Sequence, residues 1–365
     1  MYKGIFVDAI PSDKRFADLM SSKGRHGLQI EFQKPGELVT LAQNLWASQP
    51  DLVALDYRLN DARKKRALAY KATPLAQQLR DQALENVSQD FPIILLSPQN
   101  DIKVFSDNVT NLFDLSFSKE ALDNGGNHRL QILSLVKGYK RLIKKWKSSA
   151  RWSKILGLSK QERGLVAYQA IRELDKLKAP HQVARDVLHY VIERQGLLLD
   201  KDNVLAKLGI AKEGQDVEPL FEILKKKEVL YTGIFSEGWV RWWRHRLNDW
   251  GEQVCHEALG NLTAKQRVSC LNNNLGLKLL PANSRWENHS DALFAFACDS
   301  CHQPTESQFS VLAYDPPVAY SFLQRKHLCW KCIETGEFEE YGLEIDDGEA
   351  FIVEKIINGE IRSGT

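Results

Sequence analysis

Asp51-Leu52-Val53-Ala54-Leu55-Asp56-Tyr57-Arg58-Leu59 decides how the first third of the chain is read. Residues 52–55 are apolar without alternation, so they predict a strand covered on both faces rather than one edge-on to water. An acid closes the run at Asp56. A second continuous apolar run, Pro92-Ile93-Ile94-Leu95-Leu96-Ser97, ends instead on a hydroxyl.

Residues 4–8, 28–32 and 112–117 read as three further strands. Between them, residues 12–20, 37–47 and 75–84 carry apolar residues at helical spacing, as in Leu38, Leu41, Leu45 and Trp46. Five strands alternating with helices imply a parallel sheet with helices on both sides. Asp123-Asn124-Gly125-Gly126-Asn127 is a turn signal, and a long basic helix is expected over residues 129–148. Its first half completes the α/β domain, and its second half projects onward as a connector.

The features of the first 145 residues, taken in order, resemble the receiver domain of bacterial response regulators, a flavodoxin-like fold. Four groups carry the resemblance: Phe6-Val7-Asp8, the stretch 51–59, Ile94-Leu95-Leu96-Ser97 and Phe117-Ser118-Lys119. Each falls at the carboxyl end of an expected strand, where ligands of open α/β sheets bind. The resemblance implies that Asp56 is the carboxylate that accepts a phosphoryl group. It implies further that Asp8 and Asp56 hold a magnesium ion through oxygen, that Ser97 hydrogen-bonds the phosphoryl oxygens, and that Lys119 pairs with them. Two positions depart from the receiver pattern. Receivers place two acids side by side after the first strand, whereas Ala9 follows Asp8, and Glu120 stands where a proline usually follows the lysine. The Lys- and Arg-rich residues 60–73 read as an insertion beside Asp56.

Beyond residue 145 the reading is α+β. Ser159-Lys160-Gln161-Glu162 is a capping-box signature for a helix reaching residue 174. Helical spacing continues over 181–193, and a helix pair is expected over 203–208 and 217–226. Residues 229–235 and 239–243 then flank Ser236-Glu237-Gly238 as a hairpin, which after two helices gives the outline of a winged helix. Trp239, Trp242, Trp243, Arg246 and Trp250 fit one helix face equally well, and periodicity leaves both readings open.

The most specific local signal lies near the end. Cys298-x-x-Cys301 and Cys329-x-x-Cys332 present four thiols at the spacing of a closed, tetrahedral zinc site, with a strand expected between them at 309–314. A zinc ribbon or related finger with a structural ion is expected, because four sulfurs leave no open position for water. His302 and His327 lie close enough to replace a ligand, but read as surface residues. Cys255 and Cys270 stand apart and read as small buried residues.

Composition bounds the rest. The chain has 365 residues, 43% hydrophobic and 26% charged, with a net charge of +2; it is too long for one core and suits a soluble multidomain protein. No apolar run approaches a membrane span and no signal sequence opens the chain, so a cytoplasmic protein is expected. Residues 1–125 read as the receiver-like domain, 126–158 as its last helix and connector, 159–290 as a helical, winged-helix-like region, and 291–365 as the zinc-binding domain. The charge is unevenly placed. Ten Lys and Arg fall between Arg129 and Lys160, with no acid from 124 to 161, while ten acids follow Ile333.

No phosphate loop, Ser-His-Asp pattern or His-Glu-x-x-His helix is present, so no enzyme activity beyond receiver self-phosphorylation is expected. The function implied is a signalling switch in a phosphorelay with an upstream kinase, whose receiver-like domain controls modules that dock other proteins. The alternative is a receiver-linked regulator that binds DNA or RNA, for which Lys140-Arg141-Leu142-Ile143-Lys144-Lys145-Trp146-Lys147 supplies cations and an aromatic.

Overall fold

Tyr2–Val7 (β1), Leu28–Gln33 (β2), Leu52–Asp56 (β3), Ile93–Ser97 (β4) and Leu115–Ser118 (β5) form one parallel sheet in the order β2-β1-β3-β4-β5. That order is the flavodoxin-like arrangement of doubly wound folds. β3 and β4 are buried at every residue, which is what their unbroken apolar runs require. Arg15–Met20 (α1), Leu38–Ser48 (α2), Ala72–Glu85 (α3), Lys119–Asp123 (α4) and His128–Lys145 (α5) surround the sheet. α1 touches α5 and α2 touches α3, giving one helical layer on each face. β5 starts three residues later than expected because Phe113 and Asp114 are already engaged: Phe113 is buried and Asp114 accepts the Ile93 N–H at 2.8 Å.

This computed structural model describes residues 1–60, 70–98, 111–148, 151–159, 161–162, 168–315, 320 and 322–362. Most of the expected insertion, 61–69, lies outside them, as do 99–110 and much of the helix expected after Ser159. The start of that helix is described. Glu162 accepts the Ser159 N–H at 2.7 Å and Ser159 Oγ accepts the Glu162 N–H at 3.2 Å, the reciprocal bonds of a capping box. The residues divide into two units, Met1–His189 with Thr232–Trp239, and Tyr190–Tyr231 with Val240–Thr365.

In the first unit, a buried charged network stands at the end of the sheet opposite Asp56. Arg80 on α3 donates to Asp114 at 2.7 Å, to Asp90 at 3.3 Å and to the Phe91 carbonyl at 2.9 Å. The Tyr139 hydroxyl on α5 donates to the second oxygen of Asp114 at 2.5 Å, and Asp90 accepts the backbone N–H of His181 at 2.7 Å. Burial alone would lower Arg80, but Asp114, Tyr139 and Asp90 hold it above its ordinary value. The network fixes α3, α5 and the helix Pro180–Asp186 (α6) to the amino edge of the sheet. Thr232–Trp239 lies across α5, where Gly138 lets the Phe235 ring come within 2.1 Å of the place a Cβ would occupy.

The second unit begins with a small antiparallel ladder. Leu198–Leu199 (β6) pairs with Trp242–Trp243 (β7), and Leu230 bridges to Trp242. Backbone bonds from Tyr231 N–H to Arg241 at 2.8 Å and from Trp243 N–H to Val229 at 2.9 Å extend it. The hairpin expected over 229–243 is therefore paired only near its base, and residues 232–239 leave the ladder. Trp242 and Trp243 belong to a strand and Trp250 to the helix Arg244–Cys255 (α9), so the five residues do not share one helix face. Lys201–Leu208 (α7) and Val217–Lys226 (α8) pack with this ladder around Val204, Leu220, Leu224 and Trp250. Cys255 and Cys270 are not the isolated buried residues expected. They form a disulfide between α9 and Ala264–Leu275 (α10), with Cα atoms 5.6 Å apart. Phe294–Ala297 (β8) with Pro304–Glu306 (β9), and Ser310–Leu312 (β10) with His327–Cys329 (β11), form two further antiparallel pairs.

Candidate functional site at the carboxyl edge of the sheet

The strand ends bring together the residues singled out in the sequence. Asp8 follows β1, Asp56 ends β3, Ser97 ends β4 and Lys119 opens α4 directly after β5. Register makes the convergence inevitable: Asp56 pairs across from Leu96, and Ser97 from Ser118. The Lys119 ammonium lies 2.6 Å from Asp56 Oδ1 and 3.1 Å from Asp8 Oδ2. Asp8 is wholly buried and Asp56 is 3% exposed. The other oxygen of Asp56 accepts the Arg58 N–H at 2.8 Å, and Asp8 Oδ1 accepts the Ile10 N–H at 2.8 Å. Ser97 Oγ is buried with no hydrogen-bond partner among the described residues, an arrangement that costs free energy unless a ligand satisfies it.

A third carboxylate was not anticipated. Asp13, in the 3₁₀ turn Pro11–Lys14, places Oδ2 2.6 Å from the same ammonium. The acid that Ala9 lacks is thus supplied four residues later, by a turn that folds back over the strand end. The only signal in the sequence was an acid just beyond β1. Burial raises the Asp8 carboxyl to about 6, aided by the Asp56 charge and opposed by the Ile10 N–H and Lys119. Burial would lower the Lys119 ammonium, but Asp56, Asp13 and Asp8 together hold it above its ordinary value.

Three carboxylates converge on the Lys119 ammonium, and carboxylate oxygen is the donor type that a hard divalent cation takes. They lie around Lys119 rather than around an open position.

The second cluster is the four cysteines. Their sulfurs all lie within 4.8 Å of one another, at 3.9 Å for Cys298–Cys332, 3.8 Å for Cys301–Cys329 and 3.4 Å for Cys329–Cys332. A tetrahedral centre with metal–sulfur bonds near 2.3 Å requires sulfurs about 3.8 Å apart, so the spacing fits one ion. The Cys329 N–H donates to Cys298 Sγ at 3.2 Å, and Arg285 reaches Cys332 Sγ at 3.4 Å while pairing with Glu337 at 3.1 Å. These donors offset thiolate charge. Trp286, Val311, Leu328 and Ile333 enclose the cluster. Only the first pair sits in a turn between strands, β8 and β9. The second spans the end of β11 and the first turn of Trp330–Thr335. His327 stacks on Phe296 at 3.9 Å and His302 is exposed; neither belongs to the cluster.

No protein-family model matches the sequence, and no curated protein matches it. Among solved structures, the chain is similar to a RitR mutant at 15% identity and a TM-score of 0.28, over 38% of this chain and 55% of that one. It is also similar to a two-component response regulator of the LuxR family from Aurantimonas sp. SI85-9A1, at 10% identity and a TM-score of 0.26, over 40% and 86%. A third is the receiver domain of Francisella response regulator 1452, at 14% and 0.26, over 40% and 100%. The chain spans about half the length of the RitR mutant it matches. No helix among the described residues is long and apolar enough to cross a membrane.

Proposed function

We propose that this chain is a signalling protein in which a receiver-like switch at Asp56 controls modules that dock other proteins. The observation that carries the proposal is the convergence of Asp56, Asp8 and Lys119 at one sheet edge, beside a buried Ser97 hydroxyl without a partner. Asp56 Oδ1 attacks the phosphorus of a donor, the donor's P–O or P–N bond breaks, and the leaving group departs with the electron pair. Lys119 moves from the carboxylates onto the phosphoryl oxygens, and Ser97 Oγ–H donates to them. Asp8, Asp13 and Asp56 would hold magnesium, which supplies charge neutralisation for the incoming phosphate. The four cysteines would hold a structural zinc ion that orders the end of the chain.

A second reading, a nucleic-acid-binding output, has one observation in its favour. β6, α7, α8 and the ladder of 229–231 with 241–243 follow the order of a winged helix. Against it, α8 presents Glu218 and Glu222 as well as Lys225 and Lys226, a poor match to phosphates. On α5, Lys137 already pairs with Glu237 and Lys140 with Asp51. Protein docking therefore remains the better fit.

The test is incubation with acetyl phosphate and magnesium, followed by phosphate-affinity electrophoresis. A shifted band that disappears in Asp56→Asn supports the switch. An unshifted wild type, or a shift retained in Asp56→Asn, contradicts it.

A further inference from the structure

The second unit contains a cavity of about 410 Å³ that neither cluster uses. Lys207, near the end of α7, and Arg267, in the first turns of α10, line it together with Asn248, Glu252, Gly260 and Phe294. Arg267 is 2% exposed, and its Nη1 donates to the carbonyls of Lys207 and Phe294, each at 2.9 Å. Its Nε is buried without a partner. Among the described residues no carboxylate pairs with Arg267 or Lys207. Burial lowers Arg267 to about 10, and burial with the nearby charges of Arg244 and Arg267 lowers Lys207 to about 8. Most buried cations are paired, because an isolated buried charge is costly. Here Arg267 is buried beside the half-buried Lys207, with Glu252 as the acid among the lining residues, and it is exposed.

We propose that this cavity binds a small phosphate-bearing molecule. Two cations at its wall would balance a phosphate dianion, which a single carboxylate would leave partly unmatched. The volume is that of a small-molecule site, and a guanidinium this deeply buried is out of reach of a flat duplex backbone. Gly260 supplies a clean control. It does not have a positive φ, and a Cβ built there meets nothing within 4 Å, so Gly260→Leu adds bulk at the lining of the cavity without displacing backbone.

The experiment is isothermal titration of the full chain with inorganic phosphate and with adenosine monophosphate, repeated on Lys207→Gln and Gly260→Leu. At least one probe should bind the wild type, about tenfold more weakly to Lys207→Gln and not measurably to Gly260→Leu. Both variants should melt within about 2 °C of the wild type. The proposal is overturned if neither probe binds or if all three proteins bind equally. Asp56→Asn, which disables the switch, should leave the titration unchanged.

Discussion

At the level of single residues, the site at the sheet edge is an electrostatic compromise around Lys119. Asp8 is held above its ordinary 3.8, near 6, so its ionised form is disfavoured in the folded protein. That penalty is absent below the ordinary value, grows as pH rises through the window between the two, and is complete above about 6. Asp8→Asn removes it, and should stabilise the metal-free protein at pH 7 by about 1–3 kcal/mol, less any loss of the Lys119 contact. The gain should fade towards pH 4; a gain independent of pH in urea titrations would show that charge is not the cause. Asp13→Asn should weaken magnesium binding about tenfold without removing the fold. Asp8, Asp56, Ser97 and Lys119 were legible in the sequence because strand ends converge wherever a parallel sheet forms. Asp13 was not, since its position depends on a turn whose path no periodicity reports. The Cys255–Cys270 disulfide was hidden for a similar reason: the pairing depends on how α9 and α10 pack.

Among elements, the five strands were readable because β3 and β4 are unbroken apolar runs, and the helices around them because their apolar spacing is regular. The hairpin after α8 was only half readable. Its ladder comprises a few residues, and residues 232–239 follow contacts to α5 rather than strand pairing. Those contacts make a prediction. Gly138→Ala gains about 1 kcal/mol of helix propensity, but its Cβ would collide with the Phe235 ring. Overpacking of this kind costs about 1–3 kcal/mol, so net destabilisation is expected. The double variant with Phe235→Ala should show strong coupling in a thermodynamic cycle, whereas additive effects would place the ring elsewhere. At the other end of the sheet, Asp114→Ala strips both Arg80 and Tyr139 of a partner. Arg80 keeps Asp90 as its one remaining carboxylate among the described residues, and breaking the closer buried pair should cost about 3–5 kcal/mol in chemical denaturation.

For the molecule as a whole, the Asp56 site lies in one unit and the cysteine cluster in the other. Metal removal should separate them. If the cysteine cluster holds a metal ion as proposed, a strong chelator should lower the melting transition of that unit and leave the Asp56 site able to bind beryllofluoride with magnesium restored. Simultaneous loss of both would mean that the two units do not fold independently. The uneven charge read from the sequence is partly neutralised locally, through pairs such as Lys140 with Asp51 and Arg325 with Asp346. Charge runs alone therefore said less about partners than the site geometry does. The most direct measurement is fluorine NMR of beryllofluoride, a phosphoryl mimic, added with magnesium to the full chain. Bound resonances should appear with the wild type and vanish in Asp56→Asn and in the absence of magnesium. Free ligand signals alone at saturating magnesium, or bound signals that persist in Asp56→Asn, would contradict a phosphoryl switch at this sheet edge.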